Sequence, residues 1–284
     1  MTNQEETYVQ KLVSEFERRA KEQYFKTSDG AEIKVLTTKP PKGKAKGYTL
    51  MLLPGWGTVI PGWEQVLMEA VKDFDVLYIE SREKGSFRPS ETKTINDIPR
   101  LALDVKEVVE HLKIDQDKLV TLTSSFSTLT IAVLLGTKMI KPALNVIIGP
   151  VYQLNMPPTT RYLMHIVPNF VINWTKPIWR WWLLKFKSED PVQAAKYMRV
   201  LEEADFKKWR AVAKRVCFTK VWDMYKLIDD TRVVITGMEK DKMHTVELAK
   251  SIQAVIHNAE YIDMKTNRAA HSGELIEVIR KLLT

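Results

Sequence analysis

The feature that most constrains this chain is a repeated alternation between two apolar periods. Residues 48–53 form a nearly continuous apolar run suited to a buried parallel strand, and 76–80 and 118–123 also read as strands. Each is followed by a stretch with apolar residues on one helical stripe: 65–74, then Ile98, Leu101, Val105, Val108, Val109 and Leu112, then 129–139. A further run at 144–148 precedes a long change of character, and the pattern resumes with runs at 232–236 and 260–264. A helical stretch at 246–256 separates these two, and a helix from Glu274 closes the chain. A strand that is apolar throughout must be covered on both faces, and parallel neighbours need a crossover, usually a helix, between them. The expected fold is therefore α/β: a mostly parallel central sheet with helices on both faces. Upstream, residues 32–38 add a strand after the turn Asp29-Gly30. Tyr8, Leu12, Val13, Phe16, Ala20 and Tyr24 fall on one stripe, which predicts a helix across residues 3–25 packed on the core.

With 284 residues, 45% of them apolar, the chain can bury a substantial core. Its net charge of +8 is unevenly distributed. Residues 151–230 hold 14 Lys and Arg against 8 Asp and Glu, and six of the eight tryptophans. This shift of composition marks an insertion, so three segments are expected: 1–150 and 231–284 as two parts of one core domain, and 151–230 as a helical lid between them. The single cysteine, Cys217, cannot form an internal disulfide, and no Cys/His cluster has metal-ligand spacing. The N-terminus lacks the order of a secretory signal, and no apolar stretch reaches 18 residues. A cytoplasmic protein, soluble or peripheral to a membrane, is expected. No nucleic-acid-binding motif accompanies the positive charge, and no cofactor or metal is expected.

Functional groups in such sheets gather at the carboxyl ends of strands. There, the strand 118–123 runs into Ser124-Ser125-Phe126-Ser127 and then into an apolar helix. A serine at the apex of a strand–turn–helix has its hydroxyl pushed out, and the next amide points where an oxyanion can form. The segment resembles the nucleophile elbow of the α/β-hydrolases, usually Gly-x-Ser-x-Gly, with Thr123 and Ser127 in place of the glycines. Pro54-Gly55-Trp56-Gly57 looks like the oxyanion loop of the same family. Glu80-Ser81-Arg82-Glu83-Lys84-Gly85 is similar to its Asp-x-Arg-Gly-x-Gly segment, with Glu83 departing. Gly237-Met238-Glu239-Lys240-Asp241 resembles the acid turn after a late strand, one residue longer than usual. His271 stands just before the terminal helix, where the family's base lies.

The resemblance implies a sheet of about eight strands, a lid after the sixth, and a triad of Ser125, His271 and Asp241, in the family's chain order. Glu239 is the alternative acid and His244 the competing base. The amides of Trp56 and Phe126 are implied as oxyanion donors, and Trp179 and Trp182 of the lid as substrate contacts. The expected activity is hydrolysis of a carboxylic ester or thioester with a hydrophobic acyl group, lipid-like or carrier-bound, through an acyl-enzyme. An aminopeptidase or acyltransferase would use the same triad. A catalytically inactive relative that binds a ligand or partner is the alternative kept open by the missing elbow glycines. Trp beside Lys and Arg in the lid suits peripheral contact with an anionic membrane.

Overall fold

The structure, a computed structural model, describes residues 14–284 apart from 92–93, 155, 157, 169–170, 172–173, 179–180, 182–197 and 239–243. Among the described residues there are eight strands: β1 Lys21–Lys26, β2 Glu32–Thr38, β3 Thr49–Leu53, β4 Asp75–Ile79, β5 Leu119–Ser124, β6 Leu144–Ile148, β7 Val233–Gly237 and β8 Glu260–Asp263. They form one sheet in the order β1-β2-β4-β3-β5-β6-β7-β8. Every pairing from β4 to β8 is parallel, whereas β2 runs antiparallel to both β1 and β4. The register pairs Leu53 with Thr123, Ser124 with Ile148, and Ile148 with Thr236. The ends of β3, β5, β6 and β7 therefore meet at one edge of the sheet.

The unbroken apolar runs are explained by two cores, one on each face. Successive side chains of a strand point to opposite faces. Met51, Leu53, Leu77, Ile79, Ile147 and Ile235 accordingly belong to one core, and Leu50, Leu52, Tyr78, Val120, Leu122 and Val146 to the other. The first is covered by α3 (Ile98–His111), α4 (Ser127–Gly136) and α8 (Val246–Val255). The second is covered by α1 (Glu15–Arg19), α2 (Glu64–Ala70) and α10 (Gly273–Leu282). Each fully buried Leu, Ile or Val contributes about 1.5–3 kcal/mol. Every residue of α4 is buried, so this helix is apolar nearly all round rather than on one stripe.

The helix expected across 3–25 is much shorter where it is described. Residues 1–13 lie outside the described residues. Ser14 caps α1 through a reciprocal capping box with Glu17, and the helix ends at Arg19. From Lys21 the chain is strand, pairing with β2 from Lys21↔Thr37 to Lys26↔Glu32. A hairpin whose turn is closed by Gly30 at φ 81° draws Tyr24 into the sheet. Long-range strand pairing thus overrides the helical spacing.

Between β6 and β7 the chain passes through α5 (Pro158–Ile166), α6 (Phe206–Val216) and α7 (Trp222–Lys226). The last two bury Val212, Val216 and Tyr225 in the first core. Trp174 and Ile166, by contrast, are 77% and 76% exposed.

Candidate active site

Ser125 occupies the turn from β5 into α4, and its backbone adopts φ 52°. For a residue with a side chain this left-handed conformation costs about 1–2 kcal/mol, and it persists only where the surroundings impose it. The surroundings are visible. The Ser125 amide donates to the carbonyl of Ile148 on the neighbouring strand at 3.0 Å, and its own carbonyl accepts from the Thr128 amide at 2.9 Å. From Leu119 through Gly136 every residue except Ser125 is buried. The turn therefore presents one hydroxyl at the sheet edge and hides everything else.

The two residues standing where the resemblance has glycine are accommodated differently. Thr123 is fully buried in β5, with its hydroxyl 3.5 Å from the Val146 carbonyl. Ser127 has an active part: its Oγ accepts from the Ser124 amide at 2.9 Å and lies 2.6 Å from the Leu53 carbonyl. It links the end of β3 to the turn on which Ser125 sits. The close approach that demands glycine has moved to Gly55. A methyl group there would stand 3.3 Å from the Ser124 carbonyl oxygen and 3.4 Å from Ser125 Cβ.

Of the two histidines weighed as base, the one against the serine in this structure is His244. Its Nε2 lies 2.8 Å from Ser125 Oγ, placed to accept the hydroxyl proton. Room for the ring is made by Gly149 at the end of β6, whose φ is +54° and where a Cβ would lie 2.8 Å from His244 Cγ. His271, expected as base, ends the short helix α9 (Asn267–Ala270) after β8. Its Nδ1 is 2.9 Å from the Asn267 carbonyl, and its ring lies on Trp63 with centroids 4.6 Å apart. Asp241 and Glu239, the expected acid and its alternative, lie outside the described residues, as do Trp179 and Trp182. The signal for His244 was present in the sequence as a histidine three residues beyond Asp241, in the loop that leaves β7.

Trp56 and Phe126, the expected oxyanion donors, meet across this site with rings perpendicular at 4.9 Å. Among the described residues neither amide donates to a protein acceptor. Phe126 is the N-cap of α4, so its N–H is one of the orphan donors that a helix start leaves free. Trp209 of α6 covers Trp56 at 5.8 Å. Beside this turn opens a cleft of about 680 Å³, lined by Gly57, Lys84, Arg199, Phe206 and Trp209 among others. Among the described residues no group of three or more His, Cys, Asp or Glu converges to hold a metal ion.

No protein-family model and no curated protein matches the sequence. Comparison with solved structures gives a different result. The enol-lactonase of Burkholderia xenovorans LB400 superposes with a TM-score of 0.70 at 16% identity, over 92% of this chain and 98% of that one. The esterase EaEST of Exiguobacterium antarcticum gives 0.69 at 16% identity, over 92% and 97%. A bromoperoxidase of Bacillus anthracis gives 0.69 at 14% identity, over 93% and 98%. The chain has the α/β-hydrolase fold.

Within an α/β-hydrolase fold, the segment after β4 has a structural explanation too. Arg82 is fully buried and forks between two carboxylates, donating to Asp104 at 2.6 and 2.7 Å and to Asp29 at 2.7 and 2.9 Å. It pins this segment to α3 and to the β1–β2 turn. Burial works to raise the Asp29 carboxyl, but hydrogen bonds from Arg82 and Thr27 outweigh it and hold the group well below the usual carboxylate range.

Proposed function

We propose that the protein is a serine hydrolase that cleaves a carboxylic ester or thioester with a hydrophobic acyl group. One observation carries this reading: a serine held in the left-handed region at a strand–helix turn, with an imidazole nitrogen 2.8 Å from its hydroxyl. Serine is a weak nucleophile until a base within hydrogen-bond reach takes its proton. In this reading Ser125 Oγ attacks the acyl carbon as its proton passes to Nε2 of His244. The carbonyl oxygen, now an oxyanion, receives the N–H groups of Trp56 and Phe126, each worth on the order of 3 kcal/mol. The imidazolium then protonates the leaving alkoxide or thiolate. Water then attacks the acyl carbon, losing a proton to the same imidazole; the acyl group leaves as the carboxylic acid, and the imidazolium returns the proton to Ser125 Oγ.

Asp241, which follows β7 in sequence, is the acid that would orient the histidine and stabilise its charged form. His271 is the base that chain order favours, and His244 the one that contact with Ser125 favours. Separate alanine variants at the two positions decide between them: the true base loses about 10³-fold or more in kcat, and the other loses far less.

The aromatic group of Trp56, Phe126 and Trp209 supports an apolar acyl part. The insertion between β6 and β7, with Trp209 on the oxyanion turn, is read as the lid over it. Exposed Trp174, Ile178 and Trp181 follow a spacing of four and three residues, which suits shallow contact with an anionic membrane. Among the described residues no helix is long and apolar enough to cross a membrane. Rates on p-nitrophenyl esters of increasing chain length, acyl thioesters and aminoacyl anilides test the substrate class. A rise with acyl length supports it, and a preference for the anilides overturns it. Sedimentation with phosphatidylglycerol vesicles, diminished by Trp174→Ser, tests the membrane contact; equal sedimentation of both proteins rejects it.

A further inference from the structure

The segment that follows β4 brings a buried lysine to the oxyanion turn. Lys84 is only 7% exposed. Its Nζ donates to the carbonyl of Thr58 at 2.6 Å and reaches that of Gly55 at 3.4 Å. Two buried carboxylates face it: Glu83, with Oε1 at 3.7 Å from Nζ, and Glu80, which also interacts with it electrostatically. A buried ammonium needs such partners, because desolvation without them costs several kcal/mol. Glu83 is also the residue that departs from the family's glycine at this place.

The position of the two carbonyls gives the contact its meaning. The Gly55 carbonyl belongs to the same peptide unit as the Trp56 N–H. In a planar trans peptide these two groups point in opposite directions. A cation at the oxygen end fixes the orientation of that unit, draws electron density toward the oxygen, and makes the N–H a stronger donor. Thr58 adds to the restraint, its own Oγ1 donating to the Gly55 carbonyl at 2.9 Å. Lys84 itself is anchored, with its amide on the Ser81 carbonyl at 3.0 Å and its carbonyl accepting from Phe87 at 3.1 Å.

We infer that Lys84 is a positioning residue for ester cleavage, holding and polarising the Gly55–Trp56 peptide so that its N–H meets the oxyanion. The inference rests on the serine-hydrolase reading above. Lys84 touches no reacting atom; it acts through the turn, and its effect belongs to the tetrahedral state rather than to substrate binding.

The test compares wild type, Lys84→Met and Lys84→Arg on a short p-nitrophenyl ester. Lys84→Met is expected to lower kcat about tenfold to a hundredfold with KM within twofold of wild type. Lys84→Arg, which keeps a cation and donors, is expected to retain more activity than Lys84→Met. An alkyl boronic acid, whose adduct on Ser125 places an oxygen at the oxyanion site, should bind Lys84→Met more weakly by a similar factor. A kcat within twofold of wild type, or a loss expressed wholly in KM, overturns the inference. Should Lys84→Met fail to fold, Lys84→Gln, a neutral donor, is held to the same limits. A folded wild type that neither cleaves the ester nor reacts with a fluorophosphonate overturns the hydrolase reading as well. An active wild type matched by its Lys84 variants overturns the Lys84 inference alone.

Discussion

Replacing Ser127 by alanine removes a side-chain contact that joins the end of β3 to the nucleophile turn. The side chain is 5% exposed, so water does not replace it freely. Its removal leaves the Ser124 amide without its 2.9 Å acceptor and the Leu53 carbonyl without its 2.6 Å donor. A buried polar group left unsatisfied costs about 1–3 kcal/mol, so two of them together set a loss of about 2–4 kcal/mol after partial relaxation. For a domain of this size 1 kcal/mol moves the melting temperature by about 2–4 °C, and Ser127→Ala should melt about 5–10 °C below wild type. Because Leu53 leads into Pro54 and Gly55, the same change should loosen the oxyanion turn and lower kcat. Ser127→Gly leaves space in which a water can take the place of the hydroxyl, and should lose less of both. Differential scanning calorimetry alongside ester kinetics reads the two effects. An alanine variant melting within 1 °C of wild type, with unchanged kcat, refutes this account of how the chain dispenses with the second elbow glycine.

Gly149→Ala forces a side chain onto a residue at φ +54° and brings a methyl group to 2.8 Å from His244 Cγ. It should cost about 1–2 kcal/mol of stability and displace the imidazole, lowering kcat on the order of a hundredfold; unchanged turnover would place the base elsewhere. Asp29 has a folded pKa held below its ordinary value of 3.8, so its contribution to stability is present above that value. That contribution is lost as pH falls through the lower folded value. Urea midpoints recorded from about pH 5 to pH 2 should fall more steeply for wild type than for Asp29→Asn, and parallel curves would remove the Arg82 pairing from the explanation.

The sheet was legible because its central strands are covered on both faces and so are rich in apolar residues, and because helices such as α3 between them carry a clear stripe. The N-terminal helix was overread at Tyr24, where residues fitting a helical stripe serve equally well on a strand once β2 offers a partner. At the site, the strand, turn and helix around Ser125 were legible, whereas its reading as nucleophile leaned on the ordered strand-end motifs around it rather than on the local text, which lacks the glycines. What a linear reading could not contain was the compensation for those glycines: Ser127 bonding across to Leu53, and Gly55 and Gly149 providing the close approaches instead. The same limit applies to the histidines. Chain order favoured His271, whereas the contact between His244 and Ser125 depends on the close approach of the His244 ring to Gly149. Lys84 gave no signal as a lone charge in a motif, because its partners are backbone carbonyls some 26 and 29 residues away.

In the proposed reaction Ser125, activated by the histidine in contact with it, is the nucleophile. Labelling with a fluorophosphonate probe, read on the intact protein by mass spectrometry, tests it most directly across wild type, Ser125→Ala, His244→Ala and His271→Ala. The account predicts one adduct on wild type at Ser125, none on Ser125→Ala, and far slower labelling of His244→Ala than of His271→Ala. A folded wild type that stays unlabelled, or a Ser125→Ala protein labelled at the wild-type rate, would contradict it.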